Sequence, residues 1–303
     1  DFVKHQLPGT FGGYNVHGMT LKQSEAYAMA DGTSFDKECY TLWKGKFTND
    51  ENKDEHKYDN VKNGVWWGYT NREPRFYASV AFNGAQWNAL SIKEEGGKDS
   101  RNKQIWYYRG ATDGRINGSD NWCITGIGIM KYVNPNDCAK WGGSIYQKVE
   151  PTLRYADILL MYAEALNEAT DNGEFVPTEV YTNIDIVRER SGLEGVIDSW
   201  KKYSTNPNKP STKEGMREII RRERQIELAL EGIRYHDLRR WKLAKSTYNN
   251  TFVRGWSIDQ ENTEDYYVVR NIAQKKYSQK DYLWPVKYDD IIKNPNLKQN
   301  PGW

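Results

Sequence analysis

The stretch GMREIIRRERQIELALEGIRYHDLRRW, residues 215–241, constrains the fold more than any other. Met216, Ile219, Ile220, Ile226 and Leu230 recur at helical spacing, so the segment must lay an apolar stripe against a core. Ser211 followed by Glu214 predicts a capping box at its start. Gly232 predicts its end, since glycine accepts the left-handed conformation that closes a helix. A second short helix is expected over 235–243, carrying His236, Asp237 and Trp241. Glu223, Glu227 and Glu231 stand four residues apart and share one face, among Arg217, Arg221, Arg222, Arg224, Arg234, Arg239 and Arg240. A catalytic or metal site is one reading of that crowd. The favoured one is structural: pairs such as Glu218 with Arg222 along the helix, or ion pairs that hold neighbouring helices in register.

A second helical signal begins at Pro151. In PTLRYADILLMYAEALNEA, Tyr155, Ile158, Leu159, Tyr162 and Leu166 are expected on one face. Another helix follows over 179–190, stopped by Gly192. The pair has the length and small-residue pattern of a tetratricopeptide hairpin. One hairpin cannot bury its own face, so further repeats are expected, and the 303 residues read as part of a longer protein. Residues 195–212 read as a polar connection, 266–269 as a strand or loop, and a short helix is expected near Asp290.

The first half is harder to read. Residues 1–19 look like loop; Thr20 with Gln23 predicts a helix running to Met29, and Asp31-Gly32 predicts a turn. Strands are expected over 76–82, 105–109 and 127–133, and the run 49–60 reads as a solvated charge cluster or a mobile loop. DGRINGSDN (113–121) only superficially fits a calcium loop. Arg115 and Ile124 occupy its third and twelfth positions, where carboxylates belong, so a surface turn is expected.

Composition removes several function classes. The net charge of +2 gives no electrostatic case for nucleic acid, and no apolar run approaches the ~20 residues that cross a bilayer. HExxH, GxSxG and a phosphate-binding glycine loop are all missing, and His5, His17, His56 and His236 lack ligand spacing. The chain therefore reads as a non-enzyme, with no cofactor and no metal. Cys39, Cys123 and Cys138 lack CxxC spacing; Cys123 and Cys138 could close a loop in an exported protein, but buried free thiols are the favoured reading. Twelve Trp and 21 Tyr against 8 Phe mean that most aromatic side chains carry a polar tip, which suits a binding surface.

Five blocks resemble one family. REPRFY (72–77) resembles the N-R-D-P-R-F motif of the SusD/RagB family, the outer-membrane nutrient-binding lipoproteins of Bacteroidetes, with Glu73 where Asp is usual. RYADILLMYAEALNEA (154–169) is similar to the family's most typical helix, and IVRERSGL (186–193) to its V-R-x-R-A-G-L, with Ser191 for Ala. The block 223–241 and the ending YLWPVKYDDIIKNPNLKQNPGW also match, with Lys287 where Pro is common. The resemblance implies a mainly α fold of tetratricopeptide-like hairpins with long loops and a small β-hairpin region. It implies one continuous domain, with 1–150 loop-rich and ligand-facing and 151–303 helical. It also implies a lipid-anchored protein on the outer face of the outer membrane, whose N-terminal part and lipoprotein signal precede these residues. Such a protein hands oligosaccharides to a SusC-like TonB-dependent transporter. The alternatives are RagB-like peptide binding and a structural lid without ligand affinity.

A sugar presents flat C–H faces ringed by hydroxyls, so its site needs exposed aromatic faces beside polar groups. Tyr14, Asn15, Trp43, Trp66, Trp67 and Trp87 are the expected ligand-binding residues. Trp66 and Trp67 lead, because in an extended segment one ring packs while its neighbour faces solvent. Trp241, Trp284 and Trp303 are expected to pack.

Overall fold

The computed structural model describes residues 2–55, 61–92, 102–116, 121–171 and 173–303. His56 and the end of the expected charge cluster fall outside these, as does part of the 113–121 turn. The fold is mainly α with a small β region. Short helices α1 (Phe2–Gln6), α2 (Leu21–Ala26), α3 (Cys39–Leu42) and α4 (Pro74–Ser79) lie among loops. Two small antiparallel pairs accompany them. β1 (Val80–Ala81) pairs with β4 (Gly128–Ile129), and β2 (Ala85–Asn88) with β3 (Asn102–Ile105). The second half holds α5 (Tyr155–Ala169), α6 (Thr178–Arg190), α7 (Val196–Tyr203), α8 (Lys213–Glu227), α9 (Ile233–Arg240) and α10 (Ala244–Tyr248). β5 (Phe252–Trp256) and β6 (Val269–Gln274) form a bulged ribbon around α11 (Thr263–Tyr266), and α12 (Tyr288–Lys293) lies near the end.

Helix α8 is the spine. Its Met216, Ile219 and Ile220 enter a core with Leu160 and Ala163 of α5 and Val180 and Ile184 of α6. Ile226, and Ala229 just beyond the helix, enter a larger aromatic core with Phe11, Tyr27, Trp66, Tyr69, Phe76 and Trp256. At Gly255 the ribbon touches that core so closely that a Cβ there would lie 2.5 Å from the Thr125 carbonyl oxygen.

Local chemistry explains where expectation and structure part. Thr212, not Ser211, caps α8: its hydroxyl accepts from the Gly215 amide at 3.1 Å. The helix stops at Glu227, and Gly232 (φ 79°) opens α9 instead of closing α8. The strand expected over 76–82 is mostly α4. Pro74 fits a first helical turn, and Phe76 and Tyr77 are both buried rather than alternating. Tyr132, at φ 74°, turns the chain and helps cut the 127–133 strand to two residues. The strand expected over 105–109 falls at 102–105, and 195–212 contains α7. On α5 the buried arc is Ala156, Leu159, Leu160 and Ala163, while Tyr155, Ile158 and Tyr162 face outward. All three cysteines are free and buried.

The carboxylate stripe of the signature helix meets arginines from distant segments. Arg75 reaches Glu223 at 2.5 Å and Glu227 at 3.3 Å, and also holds Glu73 at 2.7 Å. Arg154 spans Glu227 and Glu231 at 2.9 and 2.7 Å, and Arg190 adds a third cation to Glu227 at 2.5 Å. Buried Arg224 pairs with Asp157 and Asp237 at 2.7 and 2.8 Å. The expected Glu218–Arg222 pair does not form: Glu218 takes Lys209 at 2.7 Å, and Arg222 donates to Ser34 Oγ. Inter-segment ties thus predominate, beside helix-face pairs of Arg217 with Glu214 on α8 at 4.0 Å and of Arg240 with Asp237 on α9 at 2.8 Å.

Burial alone would raise the Glu227 carboxyl, but hydrogen bonds from Arg190 and Arg154 outweigh it and hold the group below its ordinary value of 4.5. Glu164, buried but held by Arg240 and Trp241, is lowered in the same way. A lowered folded-state value contributes stability that is complete above the unfolded value and is lost as pH falls through the folded one. Urea midpoints should therefore hold near neutrality and drop below about pH 4.5. Glu227→Gln should cost about 1–3 kcal/mol at pH 7, the loss of charged hydrogen bonds to a buried carboxylate whose partners Arg75 and Arg154 keep other carboxylates and whose partner Arg190 is exposed, and should flatten the acid loss.

Candidate ligand-binding cleft

The structure corrects the expectation of exposed tryptophans. Trp66 is 2% exposed, with Tyr267 stacked at 5.1 Å, Tyr69 edge-on at 5.3 Å and its Nε1 donating to the Trp43 carbonyl at 3.0 Å. Trp67 is 7% exposed, and the Lys46 ammonium lies 3.8 Å from its ring centre. A 3-10 turn over Trp67–Tyr69 breaks the extended geometry that would send neighbouring rings to opposite sides. Trp87 points from β2 into the core, in register with buried Ala85. Asn15 is also buried, and its Nδ2 donates to the Asp113 carbonyl at 3.0 Å. Trp43 is half-buried against Phe35 and Trp66. Tyr14, 37% exposed, is the expected residue left most open. Conversely Trp284, expected to pack, is 70% exposed.

Tyr14 begins a chain of rings. It meets His5 at 5.1 Å; His5 stacks on His17 at 5.1 Å; His17 meets Phe2 at 5.2 Å, and Phe2 meets Tyr132 at 6.0 Å. Burial, then the neighbouring His5, holds the His17 imidazole below its ordinary value of 6.5, which favours a neutral ring.

The chain ends at a cleft of about 970 Å³ between α1, the 145–151 loop and the α8–α9 link. Phe2, Tyr132 and Tyr146 supply its rings, and Phe2 and Tyr146 are 44% and 47% exposed. Gln147 and Glu150 line it without an ion pair or side-chain hydrogen bond among the described residues, so their polar atoms are available. Glu231 forms another wall, fixed by Lys131 at 2.6 Å and by Arg154. Lys148 is tied to Asp137 at 2.7 Å. The arrangement offers ring faces, free hydrogen-bonding groups and fixed charge, which suits a polyhydroxylated ligand. No group of three or more His, Cys, Asp or Glu among the described residues could hold a metal.

Sequence reasoning missed Phe2, Tyr132 and Tyr146. In IYQKVE (145–150) Tyr146 stands directly before the polar Gln147 and Lys148, and that juxtaposition was the available signal for it. Nothing local announces that Tyr132 and α1 close the opposite walls.

The SusD family model matches residues 2–303. SusD-like protein P2 of Formosa agariphila is 31% identical over 152 residues, which are 50% of this chain and 25% of that protein. SusD-like protein P38 of the same organism is 29% identical over 147 residues, 48% and 23% of the two chains. A crystal structure of a SusD-like protein from Bacteroides fragilis superposes with a TM-score of 0.68 at 26% identity, covering 97% of this chain and 48% of that one. A SusD-like carbohydrate-binding protein from the same species shares the fold, with a TM-score of 0.65 at 22% identity over 97% and 51%. The chain thus spans about half the length of these solved relatives.

Burial separates the two groups of aromatics by experiment. Trp66→Ala should lower stability by about 3–5 kcal/mol in urea titration, as expected for a large ring lost from a core. Tyr146→Ala should stay within about 0.5 kcal/mol of the parent, as for an exposed side chain.

Proposed function

The chain belongs to the SusD family, and on that premise we propose that it is a cell-surface glycan-binding protein that binds without turnover. The observation that carries the reading is the cleft, where Tyr132 and Tyr146 stand beside the unpaired Gln147 and Glu150. Sugar rings stack on such faces while their hydroxyls pair with the free polar atoms. A SusC-like TonB-dependent transporter is the proposed recipient of the ligand, and the outer face of the outer membrane, through a lipid anchor, the proposed location. No helix among the described residues is long and apolar enough to cross a membrane. Glu231 fits binding better than acid catalysis, because two cations hold it and hydrogen-bond its oxygens.

Affinity electrophoresis against plant, fungal and host polysaccharides tests the proposal. At least one glycan should retard the chain, and Tyr146→Ala should weaken that binding about tenfold, the loss expected for one stacking contact. Retardation that oligopeptides abolish, or none with any glycan, would sink it.

A further inference from the structure

A second opening lies away from the Tyr146 cleft, between the 32–36 loop and helices α7 and α8. It has an outer basin of about 560 Å³ and an inner pocket of about 230 Å³. Gly32, Ser34, Trp200, Lys209 and Arg222 line both, so the two spaces adjoin. The basin presents Trp200 and the 37% exposed Tyr203, with Asn206 among the polar groups at its wall. Such a space is large enough for a small ligand.

Charge sets the inner pocket apart. Arg75, Arg188, Arg222 and Lys209 line it, against only Glu218 and Glu223. Lys209 takes Glu218, and Glu223 is shared by Arg75 and, at 3.7 Å, Arg188. That leaves Arg222 with no carboxylate within ion-pair distance among the described residues. Its acceptors are neutral: Ser34 Oγ at 2.5 Å and the Ala26 carbonyl at 3.3 Å. A guanidinium carries five N–H donors, so this set leaves capacity unused. Arg188, 5% exposed, shows the same deficit: its Nη2 is buried without an acceptor. Gly32 makes this approach possible, since at φ 86° it lacks the Cβ that would lie 3.0 Å from that Nη2 and 2.5 Å from Ser199 Oγ. Burial is the first cause that lowers the Arg222 guanidinium from its ordinary value; the carboxylates of Glu73 and Glu223 oppose it, and the nearby Arg188 and Arg75 add to it.

We infer that this basin is a subsite for an acidic sugar, in which a uronate carboxylate pairs with Arg222 while its ring lies against Tyr203. An anion supplies the acceptor that Arg222 lacks, and a planar carboxylate matches the guanidinium fork. The inference rests on the glycan-binding reading and adds a substrate class and a second site to it.

Calorimetry of the full chain tests it with polygalacturonate, alginate and glucuronan, each beside its own carboxyl-reduced counterpart, so that only the charge differs. At least one uronate polymer should bind about tenfold or more tightly than its reduced form. Arg222→Gln, which keeps a donor for Ser34, should remove that preference. Tyr203→Ala, at an exposed position, should weaken binding of the uronate polymer and still fold. Neutral glycans binding with no uronate preference would overturn the subsite and leave the glycan reading intact. Equal binding of poly-glutamate would overturn the sugar assignment in favour of an acidic peptide. No binding of any glycan would overturn the reading on which the subsite rests.

Discussion

Everything else hangs on the contact between three carboxylates of one helix and the arginines that converge on them. Glu223, Glu227 and Glu231 bind Arg75 from the loop-rich half and Arg154 and Arg190 from the helical hairpin. Buried charge is unfavourable unless it is paired and hydrogen-bonded, so each group has a place only when all the others arrive. That requirement makes the network a device for register. It decides where the 72–77 segment sits on α8 and at what angle α5 and α6 lie beside it. The neighbouring Arg72 does the same by other means: it lies 4.4 and 4.3 Å from the ring centres of Phe35 and Phe76 and donates to the carbonyls of Ser24 and Tyr27.

The cleft inherits its shape from this network. Arg154 fastens Glu231 to the start of α5, and Lys131 fastens it to the segment that carries Tyr132. One carboxylate thus joins the loop half to the hairpin at the rim. The rings beside it rest on a backbone that the ion pairs have already fixed, so a ligand of the proposed site would meet a preformed surface, with less ordering to oppose its binding.

The helical half was legible because its signals are local. The 3.6-residue period and the cap of α8 need only neighbours in sequence, as does the Thr20 cap of α2 in the loop-rich half; the caps occur where expected or one residue away, whereas α8 ends at Glu227 and α2 at Ala26, short of the expected ends. The carboxylate stripe was visible, but its partners at 75, 154 and 190 were not, since sequence spacing does not encode contacts made across the fold. The same limit explains the tryptophans. Trp66 is enclosed by Trp256 and Tyr267, about two hundred residues away, and no pattern around 66 predicts that enclosure. The basin above Arg222 was invisible for a related reason: α7 was read as a polar connection, although Val196 and Ser199 are buried on it.

The contact at Gly255 carries a different kind of consequence. The ribbon of β5 and β6 meets the core where the Trp256 amide donates to the Thr125 carbonyl at 2.9 Å, with no space for a side chain on the preceding residue. Most of β6 is open to solvent. Mutational drift is therefore distributed unevenly along the ribbon: the outward positions can exchange residues freely, whereas a single methyl group at position 255 would pry the strand from its seat.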